Sequence, residues 1–100
     1  MRKIVLVCNA GMSTSILVEK IKEASEAINY EIDIHAYATA ELKEVAETAD
    51  AVLLGPQIRF QLNKMKGYVT CPIEVIDINA YGMMDGVKVL NQIKKLVGDK

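Results

Sequence analysis

No apolar run in this sequence is longer than five residues. The two longest, Ile4 to Cys8 and Ala51 to Leu54, fall far short of the ~20 residues that cross a bilayer, which excludes a membrane-spanning helix. Arg2 and Lys3 precede the first run as in a signal peptide. The run is too short, however, and no small-residue cleavage site follows it at the right distance, so a cytoplasmic protein is expected. A block of like charge is also missing: 12 basic residues face 13 acidic ones without clustering, which argues against a nucleic-acid partner needing a basic face. There is no linker and no internal repeat, so residues 1–100 are read as one domain. The single histidine, His35, has no second ligand at useful spacing, and a metal site is not expected.

What is present is a repeated change of hydrophobic period. Ile4-Val5-Leu6-Val7 reads as a buried strand, and Leu17, Ile21, Ala24 and Ile28 then recur at helical spacing. Tyr30 to Ala36 alternates apolar residues with Glu31, Asp33 and His35, as in an edge strand with one polar face. Thr39 is placed to cap a helix whose stripe is Leu42, Val45, Ala46 and Ala49, and Ala51 to Leu54 is a short buried strand ended by Gly55-Pro56. Ile58, Leu62 and Met65 predict a third helix with Gly67 as its C-cap, and Pro72 introduces a fourth strand, Ile73 to Ile76. Asp77 to Gly86 reads as a loop before a last helix with Val87, Leu90, Ile93 and Val97 facing the core.

Strand and helix alternate four times, which predicts an α/β fold: a four-stranded parallel sheet with right-handed crossovers and helices on both faces. A polar-faced second strand belongs at an edge and the apolar first and third strands inside, giving the flavodoxin-like order 2-1-3-4. Ligands of such sheets bind at the carboxyl ends of the strands, where strand order reverses. Cys8 closes the first strand at that point.

The chemistry concentrates after Cys8. Asn9 to Ser15 form a glycine-bearing, hydroxyl-rich turn into a helix, whose dipole and first free amides favour a thiolate or a phosphate, so an acidic thiol is expected. A nucleotide P-loop is excluded, because Gly11 is followed by Met12 and no lysine occurs before Lys20. The loop of cysteine phosphatases carries an arginine six residues after its cysteine, where this chain has Thr14. A thiolate cradled by amides and by the hydroxyls of Ser13, Thr14 and Ser15 can still accept a phosphoryl group, since that transfer depends on positioning and charge stabilisation. Without an arginine, or an acid to protonate a leaving group, a phosphocysteine would persist until another acceptor arrives. A low-molecular-weight cysteine phosphatase is the alternative, weakened by Thr14. A receiver domain is weakened by the lack of an acidic cluster at the end of the first strand, and a purely structural Cys8 by the anion-binding character of the whole loop.

Other residues at the same end are weighed with it. Gln57 and Arg59 start the third helix there and can meet a phosphate or a partner, with a solvated charge an equal reading for Arg59. Tyr81 and Asp85 lie in the long loop, where Asp85 suits a helix cap. Met12, Met83 and Met84 flank the rim either as docking surface or as core filling. Cys71 precedes the fourth strand, roughly 15 Å from Cys8 across a parallel sheet, and a disulfide needs Cα atoms within about 7 Å. Cys71 is therefore expected to pack.

Cys8-Asn9-Ala10-Gly11-Met12-Ser13-Thr14-Ser15 resembles the phosphocysteine loop of phosphotransferase-system (PTS) enzyme IIB of the lactose/cellobiose (chitobiose) type. The resemblance covers the whole chain, including Leu54-Gly55-Pro56-Gln57 and Ile78-Asn79-Ala80-Tyr81-Gly82; Asn9 stands where that family more often has serine. It implies a phosphoryl carrier in which Cys8 is the nucleophile and Asn9, Ala10, Gly11, Met12, Ser13, Thr14 and Ser15 bind the phosphoryl oxygens. Cys8 would take the group from a phosphohistidine of a IIA protein and pass it to a β-disaccharide such as cellobiose, chitobiose or lactose, held by a membrane IIC protein. No metal, nucleotide or other cofactor is implied, and the chain is read as a monomer.

Overall fold

Side chains alternate across the strands of this protein and feed two separate cores. The computed structural model describes residues 1–8 and 11–99, with the backbone alone for residues 11–13. Strands β1 (Arg2–Val7), β2 (Ile32–Tyr37), β3 (Ala51–Leu54) and β4 (Ile73–Val75) form one parallel sheet in the order β2-β1-β3-β4, as the hydrophobic pattern predicts. β1 is central, pairing with β2 from Arg2↔Ile32 to Val7↔Tyr37 and with β3 from Ile4↔Ala51 to Val7↔Leu54. Ile4, Leu6, Ala51 and Leu53 point into one core, shared with Leu17, Ile21, Leu90 and Ile93. Val5, Val7, Val52 and Leu54 point into the other, with Leu42, Ile58 and Met65. A two-sided buried sheet requires continuous apolar strands, which is why β1 and β3 lack polar alternation. The result is the flavodoxin-like architecture, with helices on both faces.

The helices depart from expectation where local chemistry overrides the stripe. Helix α1 (Gly11–Ala27) buries Leu17, Val18 and Ile21. It stops at Asn29, whose φ of 55° is left-handed and lets the Tyr30 amide return to the Ser25 carbonyl at 2.9 Å. Ile28, expected on the core stripe, consequently lies past the helix end and is exposed. Helix α2 (Leu42–Val45) is a single turn between 3-10 turns at Thr39–Glu41 and Ala46–Thr48. Thr39 is inside the first of these; the cap position is Ala38, whose amide donates to the Glu41 carboxylate at 3.1 Å. Helix α3 (Leu62–Lys66) follows a 3-10 segment, Pro56–Gln61, broken at Ile58, and ends at Gly67 as predicted.

The stretch Asp77 to Gly86 is not a loop throughout. Asp77 accepts the Ala80 amide at 3.0 Å and so caps helix α4 (Ile78–Gly82). Met84, with φ 53°, turns the chain into Asp85, which accepts the Lys88 amide at 3.1 Å and caps helix α5 (Gly86–Val97). On α5 the core face is Val89, Leu90 and Ile93, whereas Val87 is exposed: the helix is rotated so that Gly86, not a side chain, meets α1.

At the amino ends of the strands, Asp99 ties three elements together. It receives Arg2 through Nε at 3.0 Å and Nη2 at 2.9 Å, and also the hydroxyl of Tyr30. The bond from Arg2, then that from Tyr30, hold the Asp99 carboxyl at about 2, below its ordinary 3.8. Partial burial, then the bond to Asp99, push Tyr30 from 10.0 up to about 12. A raised pKa contributes stability below the unfolded value that disappears as pH rises through the folded one, so Tyr30's contribution is lost between pH 10 and about 12. The depressed Asp99 contributes above pH 3.8, and its part is lost as pH falls towards 2. Spectrophotometric titration of the native protein should therefore show one of its four tyrosines ionising near 12. The Asp99→Asn variant should lower that value, and a native protein with no tyrosine ionising near 12 would contradict the assignment.

Candidate functional site

Cys8 extends β1 by one residue and is held there by the sheet. Its amide donates to the Tyr37 carbonyl at 3.1 Å on one side, and the Gly55 amide donates to the preceding Val7 carbonyl at 2.8 Å on the other. The residue is 6% exposed. Its Sγ lies 3.7 Å from Gln57 Oε1 and 3.7 Å from the Tyr81 hydroxyl, which is itself 3.5 Å from Thr14 Oγ1. Gly55 forms the floor: a Cβ at that position would stand 2.8 Å from Sγ and 3.0 Å from Gln57 Oε1, so only glycine leaves the sulfur where it is. Above the sulfur a cleft of about 230 Å³ opens between α1 and the chain after β2, lined by Cys8, Thr14, Ser15, Tyr37, Ala38 and Glu41.

The structure brings some of the expected residues together. Thr14 is fully buried beside Tyr81, and Ser15 is exposed on the cleft wall. Asn9 and Ala10 lie outside the described residues, as do the side chains of Met12 and Ser13; the backbone of Gly11 and of residues 12–13 opens α1. Gln57 reaches Cys8, but Arg59 turns back and donates to the Pro56 carbonyl at 2.9 Å. Asp85 is a helix cap. Met83 is exposed while Met84 packs on the first core. His35 is exposed and pairs with Asp33 at 2.8 Å. Cys71 packs against the second core, where burial pushes its thiol up.

Sequence context puts Tyr81 in a loop, and its place beside the sulfur follows from α4. Asp77 with Ala80 three residues on is a capping pattern, and it rotates the next residue inward. Chemically, the site is a buried thiol at a strand end, facing neutral hydrogen-bonding groups from three segments.

Residues 3–92 match the family described as "PTS system, Lactose/Cellobiose specific IIB subunit". The chain belongs to this family. This IIB chain is 45% identical over 100 residues to the "PTS system oligo-beta-mannoside-specific EIIB component" of Bacillus subtilis (strain 168), with 97% of each covered. It is 38% identical over 106 residues to the "PTS system galactose-specific EIIB component" of Lactococcus lactis subsp. cremoris (strain MG1363), with 94% of each covered. The solution structure of the cellobiose-specific phosphotransferase IIB component protein from Borrelia burgdorferi superposes with a TM-score of 0.81 at 39% identity, over 97% of this chain and 92% of that one. The protein is thus a IIB component of a sugar phosphotransferase system, a phosphotransferase component whose membership implies IIA and IIC partners. Among the described residues no helix is long and apolar enough to cross a membrane.

Proposed function

We propose that Cys8 carries the phosphoryl group of this IIB component. The observation that supports it most is the position of Sγ: at the carboxyl end of the central strand, where strand order reverses, facing a cleft at the start of α1. In the forward step the Cys8 thiolate attacks phosphorus on a IIA phosphohistidine. The S–P bond forms as the P–N bond breaks, and the electron pair stays on the imidazole nitrogen. The backbone amides of residues 9–15, with the hydroxyls of Ser13, Thr14 and Ser15, hold the phosphoryl oxygens near the helix terminus. A sugar hydroxyl at the IIC protein then attacks phosphorus; the S–P electron pair returns to Cys8 and the hydroxyl proton leaves to water.

The acceptor we propose is a β-linked disaccharide. Oligo-beta-mannoside and cellobiose in the names of two relatives support that class. Exchange with a IIA protein places the chain in the cytoplasm. Hydrolysis is disfavoured because Thr14, not arginine, stands where a phosphatase loop clamps phosphate.

Persistence tests this reading. Phosphorylated protein, separated from its donor, is incubated alone and with IIC-containing membranes plus disaccharide. The expected result is slow loss alone and rapid discharge as sugar phosphate with the membranes. Equal rates of inorganic phosphate release in both would contradict a carrier and favour a hydrolase.

A further inference from the structure

Tyr81 lies outside the Cys8 loop in sequence, yet its hydroxyl stands 3.7 Å from the sulfur. The ring is 7% exposed and belongs to the first core, and the hydroxyl reaches Cys8 Sγ at 3.7 Å and Thr14 Oγ1 at 3.5 Å. It is not free to swing away. The Tyr81 amide donates to the Asp77 carbonyl at 2.9 Å, the Asp85 amide donates to the Ala80 carbonyl at 2.9 Å, and Ala80 is buried. Both flanks of the ring are thereby anchored. The contacts of this hydroxyl with Cys8 and Thr14 are buried, so a hydrogen bond there acts in a low dielectric.

We infer that Tyr81 is a positioning residue for Cys8, donating its O–H to the thiolate and serving as the neutral counterpart of the arginine that this loop lacks. The inference rests on the reading of Cys8 as phosphoryl carrier. A tyrosine hydroxyl has one proton and two lone pairs, so donation to sulfur leaves it able to accept from Thr14. While Cys8 is a thiol, its S–H points at Gln57 Oε1 and leaves a sulfur lone pair facing Tyr81. Ionisation makes sulfur the stronger acceptor, and hydrogen bonds that are long in a resting site tighten when the charge develops. Tyr81 keeps its proton throughout: when the S–P bond forms and the P–N bond breaks, the only pair displaced is the one left on the donor imidazole. A neutral donor orients the sulfur without adding a positive charge to hold the phosphoryl group.

Tyr81→Phe keeps the ring and removes the donor. Two readouts on the full chain test it: the pH profile of Cys8 alkylation by iodoacetamide, followed by mass on the Cys8 peptide so that Cys71 does not contribute, and the rate of phosphoryl acceptance from a phosphorylated IIA protein. The alkylation profile should move to higher pH. Acceptance at neutral pH should fall about tenfold to a hundredfold, the worth of one charge-assisted hydrogen bond, and recover as pH rises. Thr14→Val, which removes the hydroxyl behind Tyr81, should move the profile the same way by less; it carries the test if the first variant does not fold. Profiles that superpose on wild type in folded variants overturn the inference. Because alkylation needs no phosphoryl donor, the two readings fail separately. A wild-type protein that takes no phosphoryl group refutes the carrier, whereas a phosphorylated Tyr81→Phe protein with unchanged profile and rate refutes only the role of Tyr81.

Discussion

Cys8→Ser should lower the rate of phosphoryl acceptance from a phosphorylated IIA protein by roughly 10³-fold or more, the scale of loss when a nucleophile is removed. The hydroxyl is a far weaker nucleophile near neutral pH than a thiolate, and the described polar atoms beside it, Gln57 Oε1 and the Tyr81 hydroxyl, are not bases that would activate it. Folding should be nearly untouched. Serine is close to cysteine in shape and fits above Gly55, so the stability change should stay within about 1 kcal/mol. Initial rates of phosphoprotein formation, paired with thermal unfolding, check both halves. A serine variant that accepts at the wild-type rate would remove Cys8 from its role.

Gly86→Ala should be the most damaging single-methyl change in the fold. The added Cβ would stand 2.3 Å from the Lys20 carbonyl oxygen, 2.4 Å from its carbon and 2.8 Å from the Ile21 nitrogen. These are backbone atoms in the middle of α1, which cannot rotate aside, so α1 and α5 must separate. Alanine ordinarily favours a helix by up to about 1 kcal/mol over glycine. Overpacking of a tight contact costs about 3 kcal/mol, so the clash wins. Set against the helix gain, the net loss is about 2 kcal/mol, and at ~4–8 °C per kcal/mol for a domain of this size the melting temperature should drop by roughly 8–16 °C. Gly82→Ala is the control: nothing lies within 4 Å of its added Cβ, and the same methyl should leave stability unchanged or slightly raised. A Gly86→Ala protein as stable as wild type would mean that the two helices do not approach as described. Because Thr14 and Ser15 ride on α1, a shifted helix should also slow phosphoryl acceptance.

The sheet was legible because each strand had one reason to exist. Continuous apolar Ala51 to Leu54 could only be an inner strand, and the polar alternation of Glu31, Asp33 and His35 could only be an edge, which is enough to order four parallel strands. Short elements were less legible. Helix α4 is five residues long, too brief to display a period, and its one signal is the capping relation of Asp77 to Ala80. The α1 stripe continues in sequence through Ile28 because apolar spacing carries no information about the left-handed Asn29 that ends the helix. On α5, Val87 and Val89 both have suitable chemistry, and only the contact of Gly86 with Lys20 decides which faces inward.

The candidate site divides the same way. Cys8, Thr14 and Ser15 are contiguous with the glycine of one turn and are read as a motif. Gly55, Gln57 and Tyr81 come from segments after β3 and β4, and parallel pairing brings the carboxyl ends of these strands beside β1. Topology puts Gln57 at the right end of the sheet. Tyr81 needed the turn of α4 to aim it at the sulfur.

The most direct measurement is the site of modification. Wild-type protein phosphorylated by a IIA donor is digested and mapped by mass spectrometry under conditions that preserve phosphothiols. One phosphoryl group per chain, on the sulfur of Cys8, is the predicted result. A phosphoryl group on His35, Cys71 or a loop hydroxyl, with Cys8 unmodified, would contradict it.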